Sequence, residues 1–204
     1  MDFKGRAKSW DNDRIIKRSE IIANKINELV GNKSNSSIME YGCATGLISL
    51  NLCHKFKKLT LMDSEEEMIK VVNEKIKLYK TSNVSPIKID LTKETYEKEK
   101  FDLIYTSLTL HHVLDIENIV KIFYSLLNKN GILCIIELDK EDGSFHGDVK
   151  NFKGHNGFLH KDIENTLRKV GFSNLNSETF FHGERTYDEK HIPYSIFYTI
   201  GEKL

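Results

Sequence analysis

A glycine turn between a strand-like run and a helical pattern is the feature that most restricts the fold of this chain. The run 37–41 ends beside an acid, the turn reads Gly42-Cys43-Ala44-Thr45-Gly46, and a helical pattern begins at Leu47. Gly42 permits a sharp bend because glycine tolerates positive φ, and Gly46 leaves room for a ligand or for the following helix. Because such turns follow parallel strands, where open α/β sheets bind ligands, this one predicts a nucleotide-type cofactor site.

Strand-like and helical segments alternate along most of the chain. Strand-like runs occur at 38–41, 58–62, 85–89, 101–106 and 132–138, and helical patterns at 12–30, 46–56, 65–79, 92–98, 116–128 and 159–170. This alternation predicts right-handed βαβ units and a parallel sheet. After Gly171 two strand candidates, 172–181 and 192–200, follow each other without a helix, which is typical of an antiparallel pair.

The composition argues against a partner that needs a strongly charged surface. Thirty basic and thirty acidic side chains balance, so no overall field favours nucleic acid or an acidic membrane. Three cysteines (Cys43, Cys53 and Cys134) fit a reducing cytoplasm better than a disulfide framework. The sequence has neither a secretory leader pattern nor the ~20 consecutive apolar residues that span a bilayer. We therefore expect a soluble cytoplasmic protein, whose oligomeric state the sequence does not indicate.

Three acids follow successive strand candidates. Asp63 stands about 20 residues beyond the glycine turn, where an acid can accept hydrogen bonds from the ribose hydroxyls of a nucleoside cofactor. Asp63 and Asp90 are also typical helix N-caps, and the two roles are compatible. Since the carboxyl ends of parallel strands share one edge of a sheet, Glu40, Asp63 and Asp90 are expected to meet there.

Two segments resemble the class I S-adenosylmethionine-dependent methyltransferases. The turn after Glu40 resembles their first motif, an acid followed by x-Gly-x-Gly-x-Gly, with Ala44 in place of one glycine. The run 101–113 is similar to the small-molecule members of the family, including those of quinone biosynthesis, in which a His-His pair follows the fourth strand. A nicotinamide-binding turn needs Gly-x-Gly-x-x-Gly, and the residues at 44 and 47 break that spacing.

The resemblance implies an α/β fold: a Rossmann-like three-layer sandwich around a seven-stranded, mostly parallel sheet with an antiparallel C-terminal strand. One domain is expected over 1–204, with an N-terminal helical lid at 1–34, a cofactor-binding core at 37–139, and a substrate loop and C-terminal hairpin at 140–204. S-adenosylmethionine is the implied cofactor, and S-adenosylhomocysteine its product. The residues implied to bind it are Glu40, Tyr41, Gly42, Cys43, Ala44, Gly46, Asp63, Ser64, Met68, Asp90, Leu91, Thr106 and Ser107.

Four histidines are candidates for acid–base catalysis. His111 and His112 follow the fourth strand candidate, while His146 and His155 lie in a glycine-punctuated loop whose motifs resemble one subset of the family. Imidazole titrates near neutral pH and can take a proton from a hydroxyl or an amine. Each histidine can equally shape the pocket or lie in a mobile loop without a role. No metal site is expected, on the reasoning that adjacent side chains diverge and that no two-His-plus-acid spacing occurs.

The N-terminal segment also resembles the family, in which it folds over the cofactor crevice. Phe3, Ala7, Trp10, Asp11 and Arg18 carry this resemblance. Trp10 can form part of a lid that excludes water, or it can anchor the first helix.

The sequence thus predicts S-adenosylmethionine-dependent methyl transfer to the oxygen, nitrogen or carbon of a small-molecule acceptor. Two alternatives remain open: an S-adenosylmethionine-binding protein without transfer activity, and a nicotinamide-dependent oxidoreductase. Nucleic acid and membranes are not expected as partners, and neither the acceptor nor the methylated atom is indicated.

Overall fold

The computed structural model describes residues 4–149 and 151–204, and for residues 4–6 the backbone alone. Seven strands form one sheet in the order β3-β2-β1-β4-β5-β7-β6. The strands are β1 Ser37–Tyr41, β2 Lys58–Asp63, β3 Val84–Lys88, β4 Phe101–Ser107, β5 Leu127–Leu138, β6 Phe172–Tyr187 and β7 Lys190–Lys203. The helices are α1 Asp13–Val30, α2 Leu47–Leu52, α3 Glu66–Tyr79, α4 Ile116–Leu126 and α5 His160–Val170.

The first five strands are parallel, and β1 lies between β2 and β4. The strands β1, β2 and β4 are mostly buried on both faces because helices cover both sides of the sheet. One buried cluster packs α1, α2 and α3 against one face, and a second packs α4 and α5 against the other. The predicted three-layer α/β sandwich is therefore confirmed.

A long antiparallel hairpin completes the sheet. Strand β7 pairs with β5 on one side and with β6 on the other, antiparallel in both cases. Asp188 and Glu189 connect β6 to β7, and both have positive φ, +50° and +59°. Two residues with positive φ are typical of a type I′ turn, whose twist matches that of paired strands. The predicted antiparallel pair is confirmed, and it is longer than the apolar pattern indicated.

One predicted helix is wrong. The segment 92–98 forms turns, and no helix occurs there. Lys93 N and Glu94 N donate to the carbonyl of Asp90, closing a single turn that does not continue. Leu91 and Tyr96 are buried, but the residues between them are exposed, so the segment has no apolar face to support a longer helix.

No helix within residues 4–149 and 151–204 has the length and apolar character needed to cross a bilayer.

Gly46 joins the glycine turn to α2 and packs against the sheet. Its φ is +76°, and a Cβ atom added there would lie 3.2 Å from both Leu61 Cδ2 and Val72 Cγ2. The absence of a side chain therefore lets α2 begin close to β2 and α3. The structure favours the helix-packing role predicted for this glycine over the ligand-approach role.

Gly46→Ala should lower the free energy of unfolding by about 2–4 kcal/mol, from left-handed strain plus crowding. In a Val72→Ala background part of the crowding is gone, so the same substitution should cost less. Urea unfolding of the wild type, both single variants and the double variant measures this coupling. Strictly additive costs would show that crowding against Val72 contributes nothing.

Candidate functional site

A cavity of about 900 Å³ opens at the carboxyl edge of the parallel strands. The three strand-end acids Glu40, Asp63 and Asp90 all line it, as expected from the parallel arrangement. A Rossmann-like sheet ends in such a crevice because every βα connection leaves the sheet on this side. The cavity also receives residues from α1, from the loop after β4, and from the C-terminal part of the chain.

The glycine turn forms the floor of the cavity. Gly42 N and Cys43 N both donate to the carbonyl of Met62, at 2.8 and 3.0 Å. Gly42 has φ +77°, and a Cβ atom there would lie 2.1 Å from Thr109 Oγ1, so only glycine fits between the two loops. Ala44, where the family often has glycine, also has positive φ, +46°. That geometry explains the family preference, since an L-residue in it costs roughly 1–2 kcal/mol.

Asp63 connects the glycine turn to the start of α3. Its Oδ2 accepts from Ala44 N at 2.8 Å, and its Oδ1 accepts from Glu65 N at 2.9 Å. Burial raises the pKa of Asp63, and the two backbone donors oppose this effect. Each carboxylate oxygen has a further lone pair, so the side chain can still accept hydrogen bonds from a ligand. The N-cap of α3 is Glu65, so the predicted capping role of Asp63 is wrong in that form.

Glu40 is almost completely buried beneath the turn. Tyr105 Oη donates to its Oε2 at 3.1 Å, and Tyr105 also contacts Ser49 Oγ at 2.5 Å. Desolvation raises the pKa of Glu40 to about 8, against hydrogen bonds from Ser49 and Tyr105. Glu40 is therefore largely protonated at neutral pH and adds little charge to the cavity.

Asp90 lies at the outer end of the cavity. It accepts from Thr92 N and Thr92 Oγ1 at 3.0 and 2.6 Å and pairs with Lys93 Nζ at 2.6 Å. Partial burial raises the pKa of Asp90, but hydrogen bonds from Lys93 and Thr92 outweigh it and leave the pKa below its usual value.

Most of the other predicted cofactor-binding residues also line the cavity. These are Tyr41, Gly42, Cys43, Ala44, Ser64, Met68 and Ser107. Three predicted residues do not lie among the lining residues. Gly46 faces Leu61 and Val72 as described above, Thr106 is fully buried in the sheet, and the side chain of Leu91 packs in the core. Side chains alternate along a strand, so Ser107 reaches the cavity while its neighbour Thr106 does not.

Three of the four candidate histidines meet at one end of the cavity. His111 and His112 lie on the 3₁₀ turn Leu110–His112, and His146 ends the 3₁₀ turn Ser144–His146. The ring centroids of His111 and His112 are 4.1 Å apart, and those of His111 and His146 are 4.9 Å apart. The reasoning that adjacent histidines diverge is therefore wrong, because the tight turn brings both rings to the same side.

A buried carboxylate fixes His111. His111 Nδ1 lies 2.8 Å from Glu137 Oε2, and the backbone N–H groups of His111 and Leu138 also donate to Glu137. Because Glu137 accepts three hydrogen bonds, Nδ1 of His111 is the donor, and in the neutral ring this leaves the lone pair on Nε2. Glu137 is the penultimate residue of β5 and was not predicted as a site residue from the sequence, although its place near a strand end gave the same indication as for the other acids.

Burial also controls the charge of the other two rings. Desolvation above all, with repulsion from neighbouring histidines, lowers the pKa of His112 to about 3 and that of His146 to about 4. His146 stacks on Phe152, with ring centroids 3.9 Å apart. Both imidazoles are therefore neutral at physiological pH.

His155 does not lie among the residues that line the cavity, so of the two loop histidines, His146 or His155, that were predicted near the substrate, His146 is the one that lines it. Its Nε2 contacts the carbonyl of Val113 at 3.0 Å, and its backbone N donates to the carbonyl of His111 at 2.7 Å. His155 thus supports the turn that carries His111 and His112 from behind.

The N-terminal segment closes part of the cavity. Trp10 lies among its lining residues, and the neighbouring Asp11 accepts from Thr45 Oγ1 at 2.5 Å and pairs with Lys75 Nζ at 2.5 Å. These contacts attach the segment to the glycine turn and to α3. Phe3 lies outside the described residues.

Three arginines, Arg14, Arg18 and Arg185, line the cavity near the histidines. They are a majority of the five arginines in a chain whose thirty basic residues are mostly lysine. Burial above all lowers the pKa of Arg18, and the charges of Arg14 and Arg185 add to this effect. Arg185 pairs with Asp148 at 3.0 Å. Arg14 and Arg185 were missed in the sequence because they carry no local motif, and Arg185 reaches the cavity only through the hairpin.

Comparison with known proteins identifies the family. A model of the methyltransferase domain matches residues 15–177, which is most of the chain. The chain belongs to the methyltransferase-domain family. The resemblance to S-adenosylmethionine-dependent methyltransferases is therefore confirmed.

Individual curated methyltransferases resemble the chain at about 26–31% sequence identity. An uncharacterised methyltransferase of Schizosaccharomyces pombe is 26% identical over 179 residues, covering 81% of this chain and 63% of its own length. A malonyl-[acyl-carrier protein] O-methyltransferase of Ilyobacter polytropus is 31% identical over 135 residues, covering 64% of this chain and 48% of its own length. The chain thus matches between about half and two-thirds of the length of these curated relatives.

Solved structures show the same fold. The N-methyltransferase NodS of Bradyrhizobium japonicum, in complex with S-adenosylhomocysteine, superposes with a TM-score of 0.69 at 16% identity, covering 100% of this chain and 99% of that one. A phosphoethanolamine N-methyltransferase of Haemonchus contortus, in complex with S-adenosylmethionine, has a TM-score of 0.74 at 14% identity, covering 91% and 52%.

The buried carboxyl of Glu40 gives a pH-dependent prediction. Because its pKa is about 8 in the folded state against 4.5 in the reference state, folding takes up a proton between these values. The stability that Glu40 contributes is complete below the lower value and is lost as pH rises through the higher one, at up to ~1.4 kcal/mol per pH unit. Glu40→Gln mimics the protonated form and should become progressively more stable than the wild type between pH 5 and about 8.

Urea unfolding of both proteins across this pH range measures the difference. Glu20→Gln, which changes an exposed carboxyl on α1, is the matched control and should show a difference independent of pH. A difference for Glu40→Gln that is equally flat would mean that Glu40 is ionised when folded.

Proposed function

We propose that this chain binds S-adenosylmethionine at the strand-end acids and catalyses methyl transfer to a small-molecule acceptor. The observation that carries the proposal is the convergence of Asp63, Asp90 and the glycine turn on one cavity of a methyltransferase-family domain. The sulfonium of this cofactor makes its methyl group electrophilic, so the cofactor supplies the difficult chemistry.

The residues present fit such a cofactor. Asp63 has lone pairs left to accept the two ribose hydroxyls, and Met68, fully buried beside it, offers an apolar surface to the adenine ring. We assign to Asp90, which lines the same cavity, the role of accepting from the adenine amino group. The glycine turn lines the cavity at Gly42, Cys43 and Ala44, so its backbone is within reach of the ligand. The cavity volume of about 900 Å³ falls within the range of small-molecule sites and leaves room for an acceptor.

The protein's part in the reaction is positioning and the exclusion of water. Methyl transfer needs the acceptor atom, the methyl group and the leaving sulfur in line, which a preformed cavity between sheet and lid provides. Trp10 and the Asp11 contacts close the N-terminal side. We place the acceptor at the end of the cavity where His111, His112 and His146 meet, which we call the histidine end.

The arginines support an acceptor that carries a negative charge. Arg14, Arg18 and Arg185 surround the histidine end, and Asp148 is the carboxylate that pairs with Arg185. Guanidinium groups bind carboxylate and phosphate through paired N–H donors, better than lysine does. The acids that bind the nucleoside lie at the other end, so the cavity has an acidic and a basic half. We therefore propose a small carboxylate or phosphomonoester as acceptor.

A cytoplasmic location is also proposed, supported by the free thiols of Cys43, Cys53 and Cys134.

Asp63→Asn should remove the discrimination between a ribose and its deoxy analogue. In the wild type, S-adenosylhomocysteine should bind roughly 10–100-fold more tightly than its 2′,3′-dideoxy analogue, because hydrogen bonds to a charged group are lost. In the variant the two ligands should bind with nearly equal affinity. Calorimetry with each of the two ligands on each of the two proteins measures the four dissociation constants.

The matched control is Thr106→Val, a change of similar size near the end of β4 at a position that does not line the cavity. It should leave both affinities unchanged. In a parallel thermal-shift assay, S-adenosylmethionine and S-adenosylhomocysteine should raise the melting temperature and NAD should not. Stabilisation by NAD alone would support the oxidoreductase alternative, and binding without methylation of any acceptor would support the non-catalytic one.

The acceptor class can be tested without knowing the acceptor. With S-adenosylhomocysteine bound, small carboxylates and phosphomonoesters should raise the melting temperature more than their neutral amides and alcohols. Arg18→Gln should reduce this difference, whereas Arg168→Gln, on the exposed face of α5 beside Glu164, should not. Equal shifts for charged and neutral compounds, or an unchanged response in Arg18→Gln, would contradict an anionic acceptor.

A further inference from the structure

Three histidine side chains converge at one end of the cavity. One ring nitrogen from each of His111, His112 and His146 lies within 4.8 Å of the other two. The Nδ1 atom of His146 is buried and has no hydrogen-bond partner among the described residues. A buried acceptor or donor without a partner is costly, so a group that binds His146 Nδ1 would stabilise the arrangement.

The surroundings of the three rings resemble those of metal-binding histidines. His111 contacts Glu137 through Nδ1, so Nε2 is the ring nitrogen that can bind a ligand, and metal-ligating histidines usually have such carboxylate support. Glu137 is itself completely buried and accepts two backbone N–H groups, so it is held in place. The hydrogen bond to Glu137 thereby fixes the orientation of the His111 ring and the place of its Nδ1 proton.

The two turns that carry the rings are also held from behind. Glu141 Oε2 accepts from Gly143 N and Phe145 N at 2.8 and 3.0 Å, and this fixes the turn of His146. Arg185 donates to the carbonyl of Phe145. His155 supports the other turn through the carbonyl of His111. A site built on supported turns can hold its ligands without the cation.

From these contacts we propose that His111, His112 and His146 bind one divalent transition-metal cation of the zinc class. Three imidazole ligands with a fourth position open are typical of catalytic zinc sites. Around one Zn²⁺ at 2.0–2.1 Å, tetrahedral nitrogen ligands lie roughly 3.4 Å apart, so small side-chain rotations bring the rings into place. All three residues line the cavity, and the open position therefore faces the acceptor.

A cation there would bind an oxygen of the acceptor. It would lower the pKa of that oxygen, whose proton would leave to solvent, and no separate general base is then required. In the transfer the acceptor oxygen–methyl bond forms as the methyl–sulfur bond breaks, leaving a neutral thioether. This role in transfer rests on the proposed function, but binding of the cation does not.

The test measures metal in the untagged full-length chain. After incubation with zinc and removal of the excess, mass spectrometry should find close to one zinc per chain, and Co²⁺ in its place should give a visible absorption band of tetrahedral type. His112→Ala and His146→Ala should lose most of the zinc and the band. Glu137→Gln should weaken binding roughly 10–100-fold, as expected for the support of a ligand. His191→Ala, an exposed histidine paired with Glu184, is the matched control and should bind as the wild type does.

Calorimetry with S-adenosylhomocysteine on the same proteins shows that each variant is folded. Zinc loss in His112→Ala and His146→Ala with nucleoside binding retained supports the site. Wild-type protein that holds no more zinc than these two variants would overturn it. If the wild type binds zinc but not S-adenosylhomocysteine, the metal site stands and the proposed function fails.

Discussion

Parallel pairing around β1 is the constraint on which the rest of this structure depends. Because β1 lies between β2 and β4 and is parallel to both, the connections after all three strands leave the sheet at the same edge. The register places Tyr41 opposite Met62 and opposite Thr106. Residues that are far apart in sequence are therefore brought together by position at a strand end, and the cavity is a consequence of topology before any side chain is considered.

The cavity is electrically divided, and burial determines how. Glu40 lies deepest, and desolvation raises its pKa to about 8, so it contributes a hydrogen-bonding group without a charge at neutral pH. Asp63 keeps contacts with two backbone donors and forms the acidic half. At the other end arginines and the uncharged imidazoles of His112 and His146 face the cavity. In the proposed reaction the cationic sulfonium would point towards the end that carries the arginines. An acceptor with a negative charge would balance these positive charges, which is why the acceptor's charge matters.

Local sequence patterns predicted most of the fold and about half of the features that form the site. Strand ends, the glycine turn and the hairpin all follow from periodicity and turn residues within short windows. The predictions that failed depend on which face of the sheet a side chain occupies, or on contacts between residues far apart in sequence. Thr106 and Ser107 are equally good candidates by position, and only the register decides which one faces the cavity. Arg185 lines the cavity from β6, which is far along the chain from the other lining strands, and no local sequence feature marks it.

The histidine cluster shows why side-chain direction cannot be read from adjacency alone. Neighbouring side chains diverge in a strand, and they point about 100° apart in a helix. His111 and His112 occupy a short 3₁₀ turn that Glu137 holds from inside and His155 from outside, so both rings reach the cavity. His146 comes from a separate loop and stacks on Phe152. Each of these contacts is unremarkable alone. Together they hold three ring nitrogens at close range, and His146 Nδ1 is buried without a hydrogen-bond partner among the described residues, which costs free energy unless a ligand at that position stabilises it.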